Sequence, residues 1–484
     1  MGKFKFYEYQ EEDVAKLIDQ PFGLIGSEMG TGKTHEGIEL AVQWWKQVFE
    51  DTDKNLPILI ICPIDVMPSW ESKFAAQYPA FNVHVIDRKN REIFKQALLN
   101  QDAEVYIMHW AAVNLLTDWF NKNKIVFSVV VADEVHKISN RKAKTSENIK
   151  RIKTYSKLGL SGTASGDKPW NLWSVLNWLD ARTFSSYWRF VNMFVEEEYD
   201  WRGSSKYRVF KRPKNIQYLH GIMNPWYVRH LKAEQCCERH PKGVMPFLPE
   251  KVHEHHYVEL SPRQRKVYNE MEKEMVAWLE DGTPLVAPVI IAQLTRLSQI
   301  ALAQPIIRTT EEELEDGSIH VSSTVELEMP SSKFDMLKEI VTDYDEKPFV
   351  VFTSSKRMAY LVAGELQRIG ISNAVLSGDT NPNDRAGMVD AFNRGEFRIF
   401  IGVIAAVAEG IDGLQHTADT VIFLDRHRSA IKNQQAEDRL HRGGQKSTVT
   451  VIDIIAKDTL DEDWVLNRLP EKWARIREVL DVNV

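Results

Sequence analysis

Two tandem α/β lobes, each a parallel sheet with crossover helices, separated by a helical insertion, are what this sequence predicts. Three observations carry the prediction. Short, bounded apolar runs alternate with segments of helical spacing over about residues 20–180. The same alternation returns over about 335–455. Between them, over about 184–330, it gives way to aromatic-rich segments of helical period. The expected divisions are therefore 1–183, 184–330 and 331–484, and 484 residues are too many for one core.

In the first lobe the runs FGLIG, ILIIC, VYIM and VVVA have the length and continuity of strands buried on both faces. Helical spacing follows each, as in Thr34–Phe49. The insertion opens with SYWRFVNMF and NPWYVRHL and continues in QRKVYNEMEKEMVAWL, where apolar residues recur at helical intervals. Residues 309–332, acidic (EEELED at 311–316) and then Ser-rich, read as a mobile connection. The second lobe offers FVVF, AVL, IFIGV, TVIFLD and VTVIDII as strands, and from Leu460 the chain reads as helix to near its end.

Composition bounds the function. No apolar run reaches the ~18 residues of a membrane span, and MGKFKFYEYQ has no signal-peptide core, so a cytosolic protein is expected. Three cysteines, two of them adjacent, make no disulfide framework. The net charge of −7 argues against binding nucleic acid by bulk charge but leaves a local basic groove open. Residues 201–214 hold six basic residues and no acidic one, and RGSS suggests a turn. Arg208, Lys211 and Arg212 are therefore candidates for DNA-backbone contacts, against a plain solvated hairpin. The basic run 141–153 reads as an exposed helix face. Cys236, Cys237, His240, His253, His255 and His256 cluster in sequence, but adjacent cysteines suit a zinc tetrahedron poorly and no zinc is expected.

Chemistry concentrates in three segments. SEMGTGKT at 27–34 joins an apolar strand to a helix, which brings backbone N–H groups and a helix N-terminus to an anion. Glu28, Met29, Gly30, Thr31, Gly32, Lys33 and Thr34 would wrap ATP, with Lys33 on the β/γ-phosphates and Thr34 on Mg²⁺. Ser27 stands where the pattern has its first glycine. VVVADEVH at 129–136 ends a strand in two carboxylates: Asp133 would hold Mg²⁺ through water and Glu134 would orient or activate the attacking water. QAEDRLHRGGQ at 435–445 places Arg439 and Arg442 three apart, hence on one helix face, as candidates to stabilise transition-state charge. A solvated face shared with Glu437 and Asp438 is the plain alternative there.

Taken in order, these segments resemble the Swi/Snf-type ATPases of helicase superfamily two, over nearly the whole chain. YEYQEEDVAKLI resembles the adenine-reading segment with Gln10 as its glutamine, GSEMGTGKT motif I, ICPIDVMPSWESKF motif Ia, ADEVHKISN motif II and LGLSGTASGDKPWNLWSVLNWL motif III. VVFTSS, LSGDT, IGVIAAVAEGID and QAEDRLHRGGQ resemble motifs IV to VI. The resemblance implies RecA-like lobes, use of ATP and Mg²⁺, and movement along double-stranded DNA, forks and junctions being an open extension. It adds Gly410 and Asp412 to the nucleotide site, and Ser69, Thr353 and Ser354 as backbone contacts to DNA. Two departures stand out: Ala164 where the family has proline, and Arg428-Ser429-Ala430 where it has Trp-Asn-Pro. AEDRLHRGGQ…IIAKDTLDED is most similar to the annealing-helicase (HARP-like) branch, and a compact monomeric enzyme of a bacterial or phage-infected cytosol is expected, in replication, repair or recombination. A strand-separating helicase, and a binding protein that uses ATP as a switch, are the rival readings.

Overall fold

The computed structural model describes residues 5–86, 91–202, 205–235, 239–278, 284–286, 290–313, 319–344, 346–408 and 410–481. The chain forms two units, Met1–Leu248 with Lys472–Val484, and Pro249–Glu471. The expected three-part division is thus redrawn: most of the insertion's first half packs with the first unit and its second half with the second.

In the first unit, β1 (Phe22–Ile25), β2 (Ile58–Cys62), β3 (Val83–Val85), β4 (Val105–His109), β5 (Phe127–Asp133) and β6 (Thr154–Leu160) precede an antiparallel hairpin, β7 (Val195–Arg202) with β8 (Ser205–Pro213), and then β9 (Tyr227–Val228). All but the hairpin form one parallel sheet in the order β3-β4-β2-β5-β6-β1-β9. Strands β2 and β5 are buried almost throughout, as their unbroken apolar runs require. Helix Lys33–Thr52 lays Ile38, Ala41, Val42 and Val48 into the core at helical intervals. The basic run 141–153 is helical only over Lys144–Ile149; Arg141 lies over the Tyr187 ring at 4.1 Å and Lys150 over Trp173 at 4.9 Å. It is a partly packed segment rather than a solvated helix face.

In the second unit, β10 (Lys251–Val258), β11 (Val276–Trp278), β12 (Pro284–Val286), β13 (Gln304–Glu313) and β14 (Ile319–Glu328) lead into β15 (Phe349–Thr353), β16 (Asn373–Leu376), β17 (Ile399–Val403), β18 (Thr420–Phe423) and β19 (Val449–Ala456). The sheet order is β10-β19-β18-β15-β17-β16, again all parallel. The sequence-expected strands are β15 to β19. Two parallel α/β lobes, the expected fold class, are what the chain forms. The insertion is not simply helical, however: besides helices such as Pro262–Glu274 it contributes three antiparallel strand pairs and the edge strand β10. The expected mobile connection at 309–332 lies largely in the β13–β14 ladder, which pairs Gln304 with Glu328 through to Glu313 with Ile319. Residues 314–316 of the acidic run, like Cys236 and Cys237, lie outside the described residues.

A buried ion network ties the segment after β18 to β19, to β10 and to helix Ala430–Glu437. Arg426 donates from Nε and Nη2 to Asp453 (2.5 and 2.9 Å) and from Nη1 to Glu437 (2.6 Å), and Lys251 Nζ reaches Glu437 at 2.9 Å. Glu437 and Asp438 are therefore buried, not a solvated face. Burial works to raise the Glu437 carboxyl, but Lys251 and Arg426 outweigh it and hold it well below the usual range. Its stabilisation is complete above the ordinary glutamate value of ~4.3 and is lost as pH falls through the depressed folded value. An Arg426→Ala variant strands the buried Asp453 carboxylate, leaves Glu437 with Lys251 alone, and is expected to lose ~3–5 kcal/mol in chemical denaturation. Arg426→Lys should recover little, since one ammonium cannot bridge both.

Among the described residues no helix is long and apolar enough to cross a membrane.

Candidate nucleotide site

The loop of residues 27–34 leaves the end of β1 and enters helix Lys33–Thr52 at Gly32, whose φ of 90° an L side chain rarely adopts. A Cβ there would also meet the Gln10 amide nitrogen at 2.4 Å. Gln10 is buried and braces the loop: its Nε2 donates to the Thr31 carbonyl at 3.2 Å, and its Oε1 accepts from Tyr7 N at 3.0 Å. Tyr9 adds a 2.5 Å hydrogen bond from its hydroxyl to the same carbonyl. Lys33 turns its ammonium into the loop and donates to the carbonyls of Ser27 (2.7 Å) and Glu28 (2.8 Å). Burial lowers its pKa, against the pull of Glu134 and Asp133.

Sequence reasoning missed the support on the far side. Strand β9 pairs with β1 and continues along the loop: Gly26 N donates to Val228 O, Glu28 N to His230 O, His230 N to Ser27 Oγ and Lys232 N to Glu28 Oε2. The serine in the first-glycine position is thus used, its hydroxyl accepting a backbone N–H. Gly26 is where glycine is required, since a Cβ would lie 2.4 Å from the Tyr227 ring. Arg229 donates to the carbonyls of Gly26 (2.5 Å) and Gly162 (2.8 Å), and to Asp481 at 2.6 Å. It pins the loop's first strand to the segment after β6.

At the end of β5, Asp133 and Glu134 are held separately. Trp70 Nε1 donates to Asp133 Oδ2 at 2.8 Å, Glu134 N donates to Oδ1 at 2.9 Å, and Trp110 Nε1 donates to the Asp133 carbonyl at 2.9 Å. Burial and the neighbouring Glu134 raise the Asp133 carboxyl to about 6. Glu134 sits at φ 52°, a left-handed conformation uncommon outside glycine and typical of functional strain. Its Oε2 meets His136 Nδ1 at 3.0 Å and the Ser161 hydroxyl at 3.3 Å, while His136 Nδ1 and Ser161 Oγ are 3.1 Å apart. Burial would raise this carboxyl, but His136 and Lys33 outweigh it and hold it at about 2, so Glu134 is anionic at neutral pH. The motif III residues act in this triad and in a backbone contact: Thr163 N donates to Ser161 Oγ at 3.2 Å, and Gly162 leaves its Cβ position 3.2 Å from the Ser27 carbonyl. Ala164, the departure from proline, is buried.

The donor set fits a nucleotide's phosphates with a divalent cation. Lys33 and the helix N-terminus supply positive charge, glycine leaves room for backbone approach, and Asp133 and Thr34 are hard oxygen ligands of the kind Mg²⁺ takes alongside phosphate. Glu28 and Thr31 are tied into the loop itself, Thr31 Oγ1 donating to the Glu28 carbonyl at 2.8 Å.

The second unit's candidates divide. Helix Ala430–Glu437 stops before either arginine, and the backbone continues in i→i−3 turns (Arg439 N to Ala436 O, Leu440 N to Glu437 O). Arg439 and Arg442 therefore do not share a helix face, contrary to the spacing argument. Arg439 is buried and donates to the carbonyls of Ile411 and Ala408, each at 2.5 Å. Arg442 is partly exposed and pairs with Asp412 at 3.2 Å. Gly410, between those two carbonyls, has φ 89°. Thr353 and Ser354 both bond Asp425: Thr353 Oγ1 and Ser354 N donate to its Oδ1 (2.6 and 2.8 Å), and the Ser354 hydroxyl to Oδ2. Ser69, in the first unit, is exposed in the first turn of helix Met67–Gln77. In the other departure, Ser429 caps helix Ala430–Glu437 by accepting from Lys432 N. Among the described residues no group of three or more His, Cys, Asp or Glu could hold a metal ion; His253 and His255 lie near Glu437 and Asp453 instead.

A glycine-containing loop between strand and helix, with an Asp-Glu pair ending the strand next but one in the same parallel sheet, defines a P-loop nucleotide-binding protein. Residues 9–301 match the SNF2-related domain and residues 332–444 the helicase conserved C-terminal domain. The chain belongs to the SNF2-related family. It is 26% identical over 457 residues to a probable ATP-dependent DNA helicase, CHR23, of Arabidopsis thaliana, and 25% identical over 466 residues to an uncharacterized ATP-dependent helicase of Mycoplasma pneumoniae. Those matches cover 93% and 94% of this chain and 40% of each relative, so the chain spans about two fifths of their length. The Sulfolobus solfataricus SWI2/SNF2 ATPase core in complex with dsDNA is similar at 20% identity and a TM-score of 0.42, covering 100% of this chain and 98% of that one.

Proposed function

We propose that this chain is an ATP-hydrolysing motor that moves along double-stranded DNA. The observation that carries the proposal is Glu134, held anionic in a strained turn by His136 and Ser161, in the same sheet as the Lys33 loop. A carboxylate so fixed suits the orientation of an attacking water, whereas a protein using ATP only as a switch has no need of it. Lys33 and the loop amides would hold the phosphates, and Asp133 and Thr34 a Mg²⁺ ion, which when bound neutralises phosphate charge. Family membership and the naming of relatives as DNA helicases support nucleic acid as the track. The likeness of residues 436–463 to annealing helicases makes replication, repair or recombination the proposed setting, and a bacterial or phage-infected cytosol the proposed place.

Of Ser69, Thr353 and Ser354, Ser69 is the best presented, being exposed at a helix start while Thr353 is buried. ATP turnover measured with blunt duplex, fork, four-way junction, single strand and RNA tests the proposal. Duplex of any sequence should stimulate severalfold. Equal rates on all five, or with none, would sink it, and unwinding confined to forks would favour the strand-separating alternative.

A further inference from the structure

The β7–β8 hairpin has two unlike faces. Its register pairs Glu197 with Phe210, Tyr199 with Arg208 and Trp201 with Lys206, so these six share one face. Glu198, Asp200, Tyr207 and Val209 share the other. The first face is anchored at its base, where Phe210 packs edge-on against Trp170 at 5.1 Å between centroids. Towards the turn it opens to solvent: Tyr199 is 50% exposed and Trp201 63%, beside Trp188 of helix Tyr187–Phe194 at 48%. Cations lie over these rings, Lys206 over Tyr199 at 4.2 Å and Arg208 over Trp188 at 4.6 Å. The opposite face carries Glu198 and Asp200, with Lys211 bound to Glu198 at 3.0 Å and the Tyr207 hydroxyl to Asp200 at 3.0 Å.

We propose that the Tyr199–Trp201–Trp188 face of this hairpin, with Lys206 and Arg208, binds unpaired bases of a nucleic-acid strand. The inference rests on the motor reading only in taking nucleic acid as the ligand. A solvated hairpin gains nothing by exposing Tyr199 and Trp201 on one face, with Arg208 between the Tyr199 and Trp188 rings at 5.8 and 4.6 Å, and such a patch marks a binding surface. Every base presents a π-face, so aromatic rings bind single strands with little regard to sequence; Trp201 offers its face directly, and Lys206 and Arg208, which lie over the Tyr199 and Trp188 rings, would swing to the phosphates as bases take their place. Bases inside a duplex are already stacked and offer these rings nothing, which makes the face selective for unpaired strand. The sequence-expected contacts are thereby redistributed. Arg208 stays on the binding face, although Glu197 lies 3.4 Å from it, while Lys211 and Arg212 are engaged by Glu198 and Glu196.

The test uses the full chain and a short single strand carrying 2-aminopurine, whose emission falls on stacking. The parent should quench it on binding. Trp201→Ala and Tyr199→Ala should each weaken single-strand affinity about tenfold and remove most of the quenching. Trp201→Phe, which keeps a ring, should retain both, and duplex-stimulated ATP turnover should be unchanged in all three. A parent that binds without quenching, or an alanine pair that binds as tightly as the parent, overturns the inference. A parent whose ATP turnover ignores duplex overturns the motor reading instead, and the quenching assay still decides the hairpin.

Discussion

Glu134→Gln is expected to turn ATP over roughly 10²–10⁴-fold more slowly than the parent while binding it as tightly. The substitution is nearly isosteric, so the hydrogen bond from Ser161 to the side-chain oxygen can persist. What is lost is the anion. His136 and Lys33 hold the carboxyl at about 2, so the parent always presents an anion to orient the attacking water, and a neutral amide in the same place does not. Binding depends on other groups, the Lys33 ammonium and the loop amides, whose supports (Gln10, Tyr9 and the 227–232 segment) are untouched. Single-turnover hydrolysis beside equilibrium binding of a fluorescent ATP analogue separates the two effects. Near-parental hydrolysis would mean that another group activates the water.

How legible this site was depends on the distance over which its contacts act. Lys33, Asp133 and Glu134 announce themselves because local spacing at a strand end fixes where they point. Trp70, Arg229 and Ser27 do not, because each works through a tertiary contact: Trp70 on Asp133, Arg229 across Gly26 and Gly162, Ser27 beneath His230. The same rule governs the fold. Strands β15 to β19 are built around short apolar runs and are read directly, but β3 and β9, of three and two residues, are too short for any period to show. The HEHHY stretch of β10 reads as a half-buried strand, yet its partner is Val449–Ala456, almost two hundred residues on. Strands β13 and β14 were hidden by acidic and serine-rich composition, although the β-branched Thr309, Thr310, Val321 and Thr324 lie in the ladder.

Arg442 and Arg439 are where spacing misled most, and where substitution should divide two roles that the sequence presents as one. Arg442→Ala is expected to slow ATP turnover by ~10³-fold or more, the scale of a lost transition-state arginine, with no loss of thermal stability. Its partner Asp412 is exposed enough to be satisfied by water. Arg439 cannot play the same part as it stands. Its guanidinium donates to the carbonyls of Ala408 and Ile411, at the two ends of the turn that carries Gly410. Swinging outward would leave those buried carbonyls wanting partners, at ~1–3 kcal/mol apiece. Arg439→Ala should therefore show itself first as a lowered melting temperature, with turnover reduced in proportion to the folded fraction. Lysine at 439 should not rescue it, since one ammonium lacks the fork that spans both carbonyls. If Arg439→Ala melted like the parent yet lost turnover while Arg442→Ala kept it, the assignment would be reversed, and the burial of Arg439 would have to be a resting position that the working enzyme abandons.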